Sequence, residues 1–104
     1  GEAMQELSGA QRRYLKSQAH HLKPVIHVGK SGLTDPLAES VVQALRAHEL
    51  IKVKFTDLKD RKRQLTDELG AWTESHVIAT LGNTSILYRQ NADPERRKIQ
   101  LPPK

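Results

Sequence analysis

The chain has 104 residues, the length of one ordinary domain, with 17 Lys plus Arg against 12 Asp plus Glu and a net charge of +5. A small basic domain with a pI near 9.8 points to an anionic partner, nucleic acid ahead of a membrane surface. The lack of cysteine excludes disulfides, thiolate zinc sites and a cysteine nucleophile, and no apolar run approaches the roughly 20 residues of a membrane-spanning helix.

The first ten residues are polar or small and hold no signal peptide, so a cytoplasmic location is expected. Gly1-Glu2-Ala3 before Met4 reads as a tag remnant; residues 1–6 are set aside as that remnant or a disordered N-terminus, and one domain is expected over 7–102. Residues 7–21 read as a helix. Ser8 is its cap, Gln11 completes a capping box, and Leu15 and Ala19 follow at a spacing of four. Arg12, Arg13 and Lys16 lie on its outer face. Pro24 ends the helix, and Val25-Ile26-His27-Val28 suits a short buried strand.

Gly29-Lys30-Ser31-Gly32 is a loop. A second helix follows, with Asp35 as cap and Pro36 at its first position, and runs through Leu37, Val41, Ala44 and Leu45 to about His48. Ile51, Val53 and Phe55 alternate with Lys52 and Lys54, the period of a half-buried strand. From about Asp57, Leu58, Leu65 and Leu69 mark a third helix that Gly70 is expected to stop. Residues 76–81 read as a second buried strand, Gly82-Asn83 as a tight hairpin turn and Ser85–Arg89 as the last strand. From Asn91 the chain is a polar, proline-bearing tail, expected over the surface. The order α-β-α-β-α-β-β implies right-handed crossovers, some parallel pairing and a final antiparallel hairpin: an α/β fold of two or three layers with a four-stranded mixed sheet.

The glycine loop carries the functional argument. A Gly-x-x-Gly loop between strand and helix lets a phosphate approach backbone N–H groups, and Lys30 adds a cation. KH domains clamp a nucleic-acid backbone with such a loop; a plain strand-to-helix turn has the same look. Asp35, as cap, competes for the helix N–H groups, which leaves phosphate to the loop and nearby lysines. Gly-Lys-Ser also invites a P-loop, but the first P-loop glycine falls on Pro24 and the helix starts several residues late.

Other groups offer less. His20, His21, His27, His48 and His76 are scattered without metal-ligand spacing. Lys59, Arg61, Lys62 and Arg63 are diluted by Asp57, Asp60, Asp67 and Glu68 and read as a solvated face. Arg96, Arg97 and Lys98 form an undiluted cluster beside Arg89. Trp72 follows the expected helix stop and reads as core, whereas the face of Tyr88 is open.

Three segments together carry a resemblance. Leu22–Thr34 (with Pro24-Val25-Ile26-His27-Val28-Gly29-Lys30-Ser31-Gly32 inside it), His48–Lys54 and Gly82–Arg89 resemble the three signatures of the YhbY-like CRM domain, the chloroplast RNA splicing and ribosome maturation domain; Arg97–Pro102 resembles its ending. The resemblance implies a fold similar to the C-terminal domain of translation initiation factor three. It also implies RNA binding, with Gly29, Lys30, Ser31 and Gly32 as the family loop, and a stand-alone bacterial role on ribosomal RNA in precursors of the large subunit. Charge placement adds Arg12, Arg13, Lys16, Lys23, Arg89, Arg96, Arg97 and Lys98 as RNA contacts. No catalysis, metal, cofactor or membrane partner is expected, and a monomer is favoured. The alternatives are a nucleotide-binding enzyme using the Gly-Lys-Ser loop and a protein-interaction module with a basic surface.

Overall fold

Local chemistry sets the elements of the computed structural model, which describes residues 5–104; residues 1–4 of the segment read as a tag remnant or disordered N-terminus lie outside those described. At α1 (Gly9–Ala19) the capping box forms: the Ser8 hydroxyl accepts from the Gln11 N–H at 3.1 Å, and the Gln11 side chain accepts from the Ser8 N–H at 3.0 Å. The helix buries Gln11, Leu15 and Ala19, one stripe at a spacing of four.

β1 (Pro24–Val28) is an edge strand, not the buried strand expected. Only Ile26 and Val28 are buried, while Val25 and His27 alternate onto an exposed face. Proline at its start has no N–H to waste, which suits an edge. α2 (Asp35–His48) is capped by Thr34, one residue before the expected Asp35. Extended backbone at Thr34 (φ −125°, ψ 163°) aims its hydroxyl at the Leu37 N–H, 3.2 Å away, and places Asp35 inside the helix.

β2 (Leu50–Phe55) alternates as expected, but α3 (Lys62–Thr73) starts later than expected. Leu58 is left-handed (φ 53°) and donates its N–H to the Asp57 carboxylate at 2.7 Å, and a 3-10 turn at Lys59–Arg61 precedes the helix. Glu74 (φ 54°), not Gly70, ends α3. A Cβ at Gly70 would stand 3.0 Å from Val77 Cγ2 and 3.3 Å from the Ser75 carbonyl oxygen. Glycine is there so that the last turn can lie against the following strand.

β3 (His76–Leu81) and β4 (Thr84–Tyr88) form the expected hairpin, with Gly82 at φ 58° in its two-residue turn. The sheet order is β1-β2-β4-β3: β1 and β2 pair in parallel, and β4 is antiparallel to both neighbours. β4 takes the slot between β2 and β3 because Ser85 to Tyr88 are all buried. That displaces β3 to the edge, where none of its residues is fully buried, contrary to the sequence expectation.

The result is three layers. α2 and α3 pack Val41, Leu45, Leu65 and Leu69 on one sheet face against Val28, Val53, Phe55 and Leu87. α1 packs Leu15 and Ala19 on the other against Leu50, Ile86 and Tyr88. Tyr88 therefore faces α1 and stacks on His76, with ring centroids 6.2 Å apart. Burial, with the neighbouring Glu49 charge second, pushes the Tyr88 pKa up to about 12, so the phenol stays neutral. Trp72, expected in the core, is 47% exposed, because the buried stripe Leu65, Leu69 and Thr73 turns it outward.

The tail is bound, not loose, and Glu49 binds it. Glu49 is fully buried, has φ 63° and closes α2 by donating its N–H to the Leu45 carbonyl at 2.8 Å. Its carboxylate accepts the backbone N–H groups of Asn91 (2.6 Å), Lys98 (2.6 Å) and Ile99 (3.0 Å), and its carbonyl accepts from Arg89 at 2.9 Å. Gln11 donates to the Pro102 carbonyl at 2.9 Å, and Ile99 and Leu101 pack against the α1-side core.

Two stability tests follow from this packing. Glu49→Ala strips three buried or half-buried N–H groups of a charged acceptor. The expected loss is about 3 kcal/mol in urea unfolding, with faster amide exchange at Asn91, Lys98 and Ile99; the tail's ability to rehydrate limits the cost. Gly70→Ala gains helix propensity of about 1 kcal/mol but forces the Val77 and Ser75 contacts apart at about 1–3 kcal/mol. A net loss of about 1 kcal/mol is expected, measured the same way.

Candidate nucleic-acid interface

Gly29-Lys30-Ser31-Gly32 leaves the C-terminal end of β1 and closes on itself, the Gly32 N–H donating to the Gly29 carbonyl at 3.0 Å. Gly32 has φ 66°, and a Cβ there would meet Leu58 Cδ1 at 3.4 Å, so the turn itself favours glycine. Gly29 is different. It has no positive φ, and an added Cβ would meet only Thr56 Oγ1 at an ordinary 3.9 Å. Nothing inside the protein requires glycine at 29, so the position is free to serve an approaching group. Lys30 and Ser31 are exposed.

The neighbouring turn supports the loop. The Thr56 N–H and hydroxyl both donate to the Val28 carbonyl, at 3.0 and 3.2 Å, and Leu58 packs beside Gly32. This brings the 3-10 turn with Lys59 and Arg61 to the loop end of the sheet, and Lys62 there reaches the Asn83 side chain at 3.5 Å. Charge counting along the sequence reads that cluster as a diluted, solvated face. The left-handed Leu58 that swings it beside the loop has no signature in composition.

The other named residues divide. Arg12, Arg13 and Lys16 are exposed on α1, and Arg12 is tethered, donating to the Val77 carbonyl at 3.1 Å. Lys23, Arg89, Arg96, Arg97 and Lys98 belong to the opposite end, where β1 and β2 begin and β4 finishes. That is roughly 17 Å from the loop at ~3.3 Å per strand residue. Several of these are engaged: Arg89 with the Thr73 carbonyl at 3.4 Å, Arg97 with the Asn91 carbonyl at 2.9 Å, and Arg96 with Asp93 at 3.7 Å. Loop and tail are thus separate basic regions with α1 between them. His20 and His21 meet edge to face at 5.9 Å and are exposed, and no cluster of three metal-ligand side chains occurs among the described residues.

The family model for the CRS1/YhbY (CRM) domain matches residues 7–89, which include the loop, all three helices from Gly9 onward and the whole sheet. The chain belongs to the CRM family. This CRM chain is 38% identical over 97 residues to the "Probable RNA-binding protein YqeI" of Bacillus subtilis, covering 92% of this chain and 99% of the relative. It is 38% identical over 102 residues to a Haemophilus influenzae protein named "RNA-binding protein", covering 97% and 100%. The CRM fold also superposes on the solution structure of SAV1595 from Staphylococcus aureus with a TM-score of 0.78 at 32% identity, covering 93% and 100%. No helix among the described residues is long and apolar enough to cross a membrane.

His76 gives this region a pH dependence. Burial first, and the Arg12 guanidinium second, hold its pKa below the usual 6.5. The unfolded chain therefore binds a proton at higher pH than the folded one does. Stability is full above about pH 6.5 and falls as pH drops through that value toward the lowered folded pKa. The melting temperature is expected to fall between pH 7.5 and 5.5, and His76→Asn is expected to flatten that part of the profile.

Proposed function

We propose that this CRM chain binds RNA by its phosphate backbone, with Gly29-Lys30-Ser31-Gly32 as the primary clamp, and that its target is ribosomal RNA within precursors of the large subunit. Family membership carries the reading, because the matched segment contains this loop and relatives matched over nearly their whole length are named for RNA binding. The unforced glycine at 29 and exposed Lys30 support a backbone contact there. Arg12, Arg13 and Lys16 extend the contact along α1, and Lys23, Arg89, Arg96, Arg97 and Lys98 offer a second basic region. The large-subunit role rests on the resemblance to stand-alone bacterial members. We read the chain as a non-catalytic, cytoplasmic monomer in a single domain over 7–102. Pro24 stands where a P-loop would need its first glycine.

Affinity for a ribosomal RNA fragment is expected to fall linearly on a log–log salt plot, by about 0.7–0.9 per phosphate neutralised. Lys30→Ala should lower affinity and reduce the slope by about one contact, while changing stability by no more than about 0.5 kcal/mol. Arg46→Ala, exposed on α2, is the control; Lys59 is unsuitable because its turn lies at the loop end. A flat salt plot, or equal losses at Lys30 and Arg46, would remove the clamp from this loop. Crosslinking in cells with sequencing of bound RNA tests the ribosomal target.

A further inference from the structure

The sheet face under α1 is covered unevenly, and strand register shows where the cover stops. The row Leu50, Tyr88 and His76 lies beneath the bound tail and α1. The next row, Lys52, Ile86 and Ala79, is partly covered. The last row, paired as His27 with Lys54, Lys54 with Thr84 and Thr84 with Leu81, is the least covered, with only Thr84 half-buried. His27 and Lys54 are exposed and Leu81 is 50% exposed, although all four strands contribute to the row.

This bare row ends at the glycine loop, since His27 stands two residues before Gly29 on β1. Its other boundary is a flank of α1. Gln11 and Gln18 face the tail, through Pro102 and the groove shared with Ile99. Helical spacing then turns Lys16 to the opposite flank, on the side of the bare row, while Arg12 on that flank is held by the Val77 carbonyl beside the covered row. Lys52 and Lys54 make no ion pair or side-chain hydrogen bond among the described residues, and the row and its α1 flank contain no acidic side chain.

We propose that this row is the floor of the RNA site: a single-stranded stretch leaves the loop and crosses the sheet from β1 toward β3, held through its phosphates by Lys54 in the row and by Lys52 in the row beside it. The proposal rests on the RNA reading above. Charge complementarity and continuity with the loop argue for the occupant. Three strand spacings of ~4.8 Å make the row about 14 Å long, too short to follow a duplex over two successive grooves as readers of ~16 base pairs do. The row contains no Phe, Tyr or Trp, and His27 is its sole aromatic ring. Stacking platforms are therefore absent, and the floor grips backbone with little preference for base identity.

The test uses the full chain and labelled oligouridylate of increasing length, with an RNA hairpin duplex in parallel. Wild type is expected to gain affinity with length until the floor is filled. Lys54→Ala is expected to bind about five- to tenfold more weakly at low salt, with the salt slope reduced by about 0.7, one single-strand phosphate. Lys54→Arg should stay within about twofold of wild type, and oligocytidylate should match oligouridylate. Lys54 is exposed, and thermal melting checks that each variant folds. If wild type binds and Lys30→Ala weakens it while Lys54→Ala and Lys52→Ala both match wild type in affinity and slope, the floor is wrong and the loop stands. If the duplex binds as tightly as the single strand with the same Lys54 dependence, the single-strand assignment is wrong. If wild type binds neither RNA, the RNA reading itself fails, and the floor with it.

Discussion

A single buried carboxylate organises this molecule. Glu49 sits where α2 gives way to β2, in a left-handed conformation that closes the helix. A buried charge must be matched by donors, and three backbone N–H groups of the tail supply the match. The chain after β4 has to return across the start of the sheet to reach them. Ile99 and Leu101 are thereby carried onto the α1-side core, and the Pro102 carbonyl meets Gln11. α1 and the tail share that sheet face because this one anchor brings the tail back.

The same anchor decides where the face stays open. The tail fills in at the Glu49 end and α1 covers the middle, so His27, Lys54 and Leu81 in the row nearest the glycine loop are left to solvent. On the opposite face α2 and α3 cover Val28, Val53 and Phe55 along the same strands. A half-buried Lys52 and an exposed Lys54 on one face of β2 and a continuous apolar core on the other are the expected outcome of strict side-chain alternation with unequal cover.

The basic residues follow that asymmetry. Lys30, Lys54 and the turn at Lys59–Arg61 gather at the loop end, whereas Arg89 and Arg96–Lys98 gather where the tail is pinned. Arg96 and Arg97 have intramolecular partners, and the Lys98 backbone is held by Glu49. The tail's charge is thus displayed by a fixed backbone. In a chain of net charge +5, the separation of the two groups shapes the surface more than the total does.

Local signals were sufficient for most elements. The Ser8–Gln11 box, Pro36 at the start of α2, the Ile51-Val53-Phe55 alternation and the Gly82 turn each act within a few residues, so their physics is complete in the sequence. The glycine loop was legible for the same reason, and the family resemblance extended it to the whole order of elements. What the sequence could not determine is which elements become neighbours. Gly70 looks like a helix stop until Val77 is found against it. Trp72 looks like core until the Leu65–Leu69 stripe turns it to solvent. β1 and β3 look buried until β4 takes the central slot. Glu49 looks like one more surface acid until the tail, 42 to 50 residues further on, delivers its donors. Burial, edge position and the satisfaction of a buried charge are properties of what packs from elsewhere in the chain, and only the tertiary structure supplies those partners.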